Sequence, residues 1–352
     1  MTLASSTVSR RRAIEGGFTL VELMVGLTLG LIVLGVMTSV FVSTSSTRRE
    51  MERSGRQIEN GRYALELLDD DLVVAGYFGE FDVRTVDAPT VKPDPCATDV
   101  DALKAAVPMH VQGYEADGAK PACLSDVRDG TDVVVVRRAS TCVAGTPNCD
   151  APTAGESYIQ SSLCNVELAN PVVSTRYAVA ALPSSGASPF TLTRRDCATP
   201  AVLRRYVAHI YFVANNNNAG DNIPTLKRAE LTGGAFNIVP LVEGVENLQM
   251  EYGVDTTGDG RPDTFTVDPG KLGGCAADAC YVANWMNTMT ATARVLTRTT
   301  EPSFGHNDTK TFAMGMAADD ATPLVVGPFN DGFRRHAYMQ TVRLNNPAGR
   351  RE

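Results

Sequence analysis

The chain has 352 residues, enough to bury a self-sufficient core, and carries 32 basic against 40 acidic residues for a formal charge of −8. That balance argues against nucleic acid as a partner, because phosphate contacts need clustered Lys and Arg. Divalent cations suit such a body better.

In chain order, Arg10, Arg11 and Arg12 precede Gly16-Gly17-Phe18-Thr19-Leu20-Val21-Glu22, and an apolar run extends from Phe18 to Val42. Its roughly 25 residues can cross a hydrocarbon core of about 30 Å as a tilted helix. No comparable basic cluster follows until Arg48-Arg49, so the N-terminus is expected in the cytoplasm and the rest in the periplasm. A secretory signal peptide would place its small-residue cleavage site after the apolar run; here Gly16-Gly17 precedes it. Glu22 breaks the apolar pattern, since an unpaired carboxylate in the span costs on the order of 3 kcal/mol on insertion scales. Cleavage after Gly17 would create a Phe18 amine one helical turn away, on the same chain or on a neighbouring copy.

This string, with basic residues before it and an apolar helix after it, resembles the class III signal of type IV pilins and pseudopilins. The resemblance implies that residues 1–17 are a leader, that a prepilin peptidase cuts after Gly17 and methylates the Phe18 amine, and that Glu22 pairs with the N-terminus of an adjacent subunit as a filament forms. Losing the leader removes three arginines and one glutamate, which leaves 29 basic against 39 acidic residues.

Past the membrane-spanning stretch, 18–42, no proline occurs between Ser43 and Gly76. Ile58, Leu65, Leu68 and Leu72 recur at helical steps, so residues 43–76 are expected to continue the helix as an amphipathic half. A helix from Phe18 to about Ala75 would be roughly 87 Å long, with Gly76 as its stop. Gly26 and Gly30 offer close helix approach in the bilayer, or reflect the frequency of glycine in membrane helices. Asp69-Asp70-Asp71 is expected to be a solvated face, because three successive helical residues point in different directions.

Residues 77–352 are expected to form a β-rich head. Glu80 to Lys120, Thr141 to Ser157 and Pro183 to Ala198 read as loops. Strands are expected at Asp132 to Arg138, Tyr206 to Val213, Leu226 to Leu231, Phe236 to Leu241, Leu248 to Val254, Thr290 to Arg298 and Ala337 to Leu344. The fold class is α+β: a long N-terminal helix packed on a mostly antiparallel sheet. All eight cysteines, Cys96, Cys123, Cys142, Cys149, Cys164, Cys197, Cys275 and Cys280, follow the apolar run. In an oxidising compartment they read as disulfides rather than zinc ligands, since no Cys-x2-Cys pair exists. Short loops favour Cys142 with Cys149 and Cys275 with Cys280, but eight cysteines allow 105 pairings.

The stretch Gly244 to Asp255, together with Asn60-Gly61-Arg62-Tyr63-Ala64-Leu65 and Asn346-Pro347-Ala348-Gly349-Arg350, resembles the PilW-type minor pilins. It implies a pilin-like fold and partners among other minor and major pilins, the prepilin peptidase, the inner-membrane assembly platform and a tip adhesin.

Asp255-Thr256-Thr257-Gly258-Asp259-Gly260-Arg261-Pro262-Asp263 has part of a calcium loop. Counting from Asp255, Thr257 is third, Asp259 fifth, Gly260 sixth, the Arg261 carbonyl seventh and Asp263 ninth, while Thr266 replaces the usual glutamate at twelfth. Weak Ca2+ binding and a polar hairpin turn built on Asp-Gly both remain open. No enzyme signature of the Gly-x-Ser-x-Gly, His-Glu-x-x-His or phosphate-loop type occurs. His209 reads as a packed strand histidine, His306 as a hydrogen-bonded surface one and Trp285 as a packing anchor at the head of a strand. The function expected is a non-enzymatic minor pilin that primes a type IV pilus or forms part of its tip, in adhesion and motility. A type II secretion pseudopilin and a calcium-dependent adhesin are the alternatives.

Overall fold

The computed structural model describes residues 17–170, 172 and 176–351; the first sixteen residues of the expected leader lie outside them. The chain divides into two compact units, Met1–Glu52 and Arg53–Glu352.

Helix α1 covers Leu20–Val73 without interruption. In the first unit every described side chain from Gly17 to Val42 is exposed, and by length and composition the helix can cross a membrane. The hydroxyls in this stretch are satisfied internally: Thr28 Oγ1 donates to the Met24 and Val25 carbonyls at 3.0 and 2.9 Å, and Thr38 Oγ1 to Leu34 at 2.8 Å. Such back-bonding is what a hydrocarbon environment demands of a polar group.

The second unit holds the outer part of α1, four short helices and thirteen strands among the described residues. The helices are α2 (Val100–Ala106), α3 (Asn165–Leu168), α4 (Asp278–Met286) and α5 (Asn345–Gly349). The first seven strands are β1 (Val111–Tyr114), β2 (Val133–Ala139), β3 (Ser157–Ser161), β4 (Tyr177–Ala181), β5 (Leu203–Ala214), β6 (Thr225–Thr232) and β7 (Ala235–Glu243). They form one antiparallel sheet in which β5 is central: it pairs with β2, β3 and β6, while β1 extends β2, β4 extends β3 and β7 extends β6. Strands β8 (Val245–Val254), β9 (Thr264–Thr266), β10 (Thr288–Arg298) and β13 (Arg335–Arg343) make a second antiparallel sheet, ordered β13-β10-β8-β9. Strands β11 (Phe312–Met316) and β12 (Pro323–Val326) form a separate hairpin.

The α+β expectation is met, and each predicted strand has an observed counterpart. Val133 to Val136 are all fully buried because the two faces of β2 meet different cores. Val134 and Val136 join Leu65, Leu68 and Leu72 of α1, whereas Val133 and Val135 pack with Ile210 and Phe212. The α1 core also takes in Leu248, Met250, Ala291, Val295 and Val342 of the second sheet, so the outer helix is wedged among side chains from both sheets. Two expectations are corrected. The stretch Glu80 to Lys120 is not all loop, since it contains α2, which Asp99 caps by accepting from the Ala102 N–H at 2.9 Å, and β1. Trp285 is a fully buried anchor, but it lies on α4 and meets Tyr252 edge to face at 4.7 Å.

The cysteines pair as Cys96–Cys123, Cys142–Cys149, Cys164–Cys197 and Cys275–Cys280. The two short-loop pairs read from the sequence are both present. Closing spans of 5 to 33 residues is worth about 2 to 4 kcal/mol per bridge on the chain-entropy account.

Candidate functional site

Two regions of α1 carry chemistry. At its start, Thr19 and Glu22 form a reciprocal capping box. Glu22 N–H donates to Thr19 Oγ1 at 3.3 Å, and Thr19 N–H and Oγ1–H donate to Glu22 Oε2 at 3.0 and 2.8 Å. These donors are neutral, and among the described residues no cation lies against the carboxylate. Phe18 is 88% exposed beside it. Gly17, the expected cleavage point, is exposed and precedes the helix.

The second region is the seam between α1 and the sheets in the second unit. The buried stripe is Gln57, Gly61, Ala64, Leu65, Leu68, Asp71 and Leu72, so its ends are polar. Ile58, expected in the stripe, is instead 43% exposed, while Gln57 and Gly61 face the sheets. Gln57 Nε2 donates to the Thr297 and Arg334 carbonyls at 3.0 and 2.9 Å. Asn60 Nδ2 donates to the Glu243 carbonyl at 3.0 Å, and Gln340 Nε2 donates to Asp69 Oδ1 at 2.8 Å. Asn346 Nδ2 reaches the Ala75 carbonyl at 3.1 Å, catching the end of the helix. Gly61 is needed for the close approach of β13, since a Cβ there would sit 2.2 Å from Tyr338 Cε2.

Asp71 overturns the expectation of a solvated acidic face. It is 4% exposed and receives Arg138 Nε at 2.6 Å, His209 Nδ1 at 2.6 Å and the Tyr211 hydroxyl at 2.8 Å. Burial pushes its carboxyl up, but the His209 bond and charge together with Arg138 outweigh that and hold it well below the usual carboxylate range. Burial and the neighbouring Asp71 push the Tyr211 hydroxyl up. His209 is packed, as expected, and serves as a partner of Asp71.

A second buried ionic group lies on the other sheet. Glu246 accepts from Arg335 Nε at 2.5 Å and Arg128 Nη2 at 3.3 Å; Arg335 also binds Asp308 at 3.1 Å and Asp331 at 2.6 Å, and its guanidinium lies 3.7 Å from the centre of the Phe329 ring. Both groups link strands distant in sequence, so neither was legible from local pattern.

The Asp255 loop is organised by its own backbone. Asp255 Oδ1 accepts from the Thr257 and Gly258 N–H groups at 3.1 and 2.5 Å, and Oδ2 from Gly260 N–H and Arg351 Nη1, both at 2.9 Å. Burial raises the Asp255 carboxyl, but those N–H groups and Arg351 prevail and its pKa is lowered. Asp263 Oδ2 accepts from Thr256 and Thr257 N–H at 2.8 and 3.0 Å, and Asp259 Oδ1 from Arg261 N–H at 2.9 Å. Among the described residues no three His, Cys, Asp or Glu side chains gather as metal ligands would. With these bonds the three aspartates brace the turn.

Comparisons with known proteins give matches at the start of the chain and across its C-terminal part. Residues 12–38 match the prokaryotic N-terminal methylation motif, and residues 210–346 match the family described as Type IV Pilus-assembly protein W. Among solved structures, the type IV-like pilin TTHA1219 from Thermus thermophilus is similar, at 13% identity and a TM-score of 0.38 over 83% of this chain and 97% of that one. No curated protein sequence matches.

Proposed function

We propose that the chain, which matches the Type IV Pilus-assembly protein W family over residues 210–346 and the N-terminal methylation motif over residues 12–38, is a PilW-type minor pilin that enters a type IV pilus through its N-terminal helix, priming assembly or forming part of the tip complex. The observation that carries this reading is Glu22: one carboxylate in an exposed apolar helix, held among the described residues by the neutral donors of Thr19 alone. Removal of residues 1–17 by the prepilin peptidase exposes the Phe18 amine. The amine of a docking neighbour then supplies the charge that Thr19 does not, so the carboxylate favours assembly in register. Before that step the helix is held in the inner membrane with the head in the periplasm, where the assembly platform, the major and minor pilins and a tip adhesin are its partners.

Glu22→Ala tests the reading. A charge-assisted pair contributes about 1.5–3 kcal/mol, so filament number should fall roughly tenfold or more while the melting temperature of the head stays unchanged. Filaments of normal number and length in that variant would contradict it.

A further inference from the structure

Within the second unit the contacts of α1 run in one order. Arg53, where that unit begins, pairs with Glu301 and donates to the Pro302 carbonyl at 3.5 Å. Gln57 follows at Thr297 and Arg334, Gly61 at Tyr338, Asp69 at Gln340 and the Ala75 carbonyl at Asn346. Strand β13 therefore runs beside the helix in the same direction, and the loop Glu301-Pro302-Ser303-Phe304-Gly305-His306 lies at the end of the head where the chain enters it. Ser303 is buried and its N–H donates to the Gly332 carbonyl at 2.8 Å, while Gly305 turns at φ +71°. Between these two points Phe304 is 107% exposed, so nothing in the chain covers its ring. Outside the apolar run, the next most exposed described phenylalanine is Phe265, at 54%. Single exposed apolar side chains are ordinary; what sets Phe304 apart is its place. Only residues 43–52 separate the apolar run from the unit that begins at Arg53. As helix they span about 15 Å, of which the headgroup layer takes roughly 5–7 Å.

We propose that Phe304 is a membrane foot: its ring, with exposed Pro302 beside it, rests at the headgroup boundary of the bilayer that α1 spans. Charge does not choose this occupant, since Glu301 of the loop is already paired with Arg53. The ring does, because a phenyl group gains by leaving water for the headgroup–acyl boundary, as the apolar faces of interfacial helices do. Such a contact restrains the tilt of α1 in the waiting subunit and is given up when the helix leaves lipid for a filament. The foot rests on the reading that α1 crosses the membrane and adds to it a contact made by the head.

The test uses the full chain in phosphatidylcholine vesicles, with and without bromine on the acyl chains as a contact quencher. Trp285 is the only tryptophan in the sequence and is fully buried, so the unsubstituted chain supplies the background emission. Phe304→Trp should lose emission in brominated vesicles and be shielded from acrylamide in plain ones. Phe265→Trp is the comparison on the head. Through Gly253 and Thr290, Phe265 aligns with Arg343 at the opposite end of β13, so this variant should ignore bromine and stay open to acrylamide. Val33→Trp, inside the apolar run, reports insertion of α1 itself. Quenching at 33 but not at 304 would overturn the foot and leave the anchor standing, whereas no quenching at 33 would sink the anchor and the foot with it. Equal quenching at 265 and 304 would overturn the foot. Shielding at 304 that requires crowded vesicles and comes without bromine quenching would also overturn it, because a second copy would then be covering the ring.

Discussion

Between Phe18 and Val42 every side chain of α1 is exposed and nearly all are apolar, whereas between Gln57 and Leu72 the same helix buries an apolar stripe whose ends are polar. Apart from Glu22, that surface offers a partner no directional bond and accepts lipid or a neighbouring helix about equally well. The outer stretch is committed, because Gln57, Asn60 and Asp71 each bond particular atoms of the sheets. One stretch is built to exchange neighbours and the other to keep them. The helix can therefore change surroundings while holding its head.

The largest effect expected is from breaking the committed half. Asp71→Ala strands Arg138 and His209 in a buried site and should cost about 3–5 kcal/mol, as removing one partner of a buried ion pair does. Urea unfolding of the detergent-solubilised chain would check it. A loss under about 1 kcal/mol would mean that the apolar stripe alone holds the helix.

Acidity sharpens the contrast, because the second unit holds buried titratable groups. Glu115 and Asp132 occupy the next facing positions beyond the Tyr114 and Val133 pair of the β1–β2 hairpin. Asp132 Oδ2 accepts from Met250 N–H at 2.8 Å, and Oδ1 has no hydrogen-bond partner. Burial, and then the charge of Asp132, pushes Glu115 up; burial pushes Asp132 up more than Met250 N–H and Lys120 pull it down. Asp117, Asp268 and Asp320 add negative charge around the pair, and Lys271 opposes them. Carboxyls raised above their unfolded values contribute stability that is complete below the ordinary carboxylate range and is lost as pH rises through the folded values. Buried His110, pushed down to about 4, opposes this only below its ordinary value of 6.5. The second unit should therefore melt a few degrees lower at pH 8.5 than at pH 6.5, and Asp132→Asn should flatten the difference. A melting temperature that rises over this interval, or a slope unchanged in the variant, would refute the assignment.

The smallest effect concerns the Asp255 loop, whose carboxylates already hold backbone N–H groups and Arg351. Calcium at 1–5 mM should shift the melting temperature by less than about 1 °C, whereas even a site of millimolar affinity would raise it by roughly 1–3 °C. A rise of several degrees would place a cation there.

The apolar helix and about half of the strands were legible because each is a local pattern: a long apolar run without proline, a β-branched run such as Val133 to Val136; the Thr19–Glu22 capping box was overlooked, although a carboxylate three residues after Thr19 is its signature. Strands β1, β3, β4, β9, β11 and β12 were not, being three to five residues long and set in cysteine-rich or turn-rich sequence. Asp71 was misread for a different reason. Three consecutive acidic residues look solvated on a helix wheel, and its partners lie 67 to 140 residues away. Gln57 displaced Ile58 from the buried face because carbonyls at Thr297 and Arg334, invisible in a local window, reward an amide there.

The account's central claim is that cleavage at Gly17 manufactures the cation that Glu22 meets. Intact mass spectrometry of the membrane-extracted protein tests it most directly. The account predicts a polypeptide beginning at Phe18, lacking residues 1–17 and one methyl group heavier than its sequence. A mature chain that keeps those residues, or begins elsewhere, would contradict it.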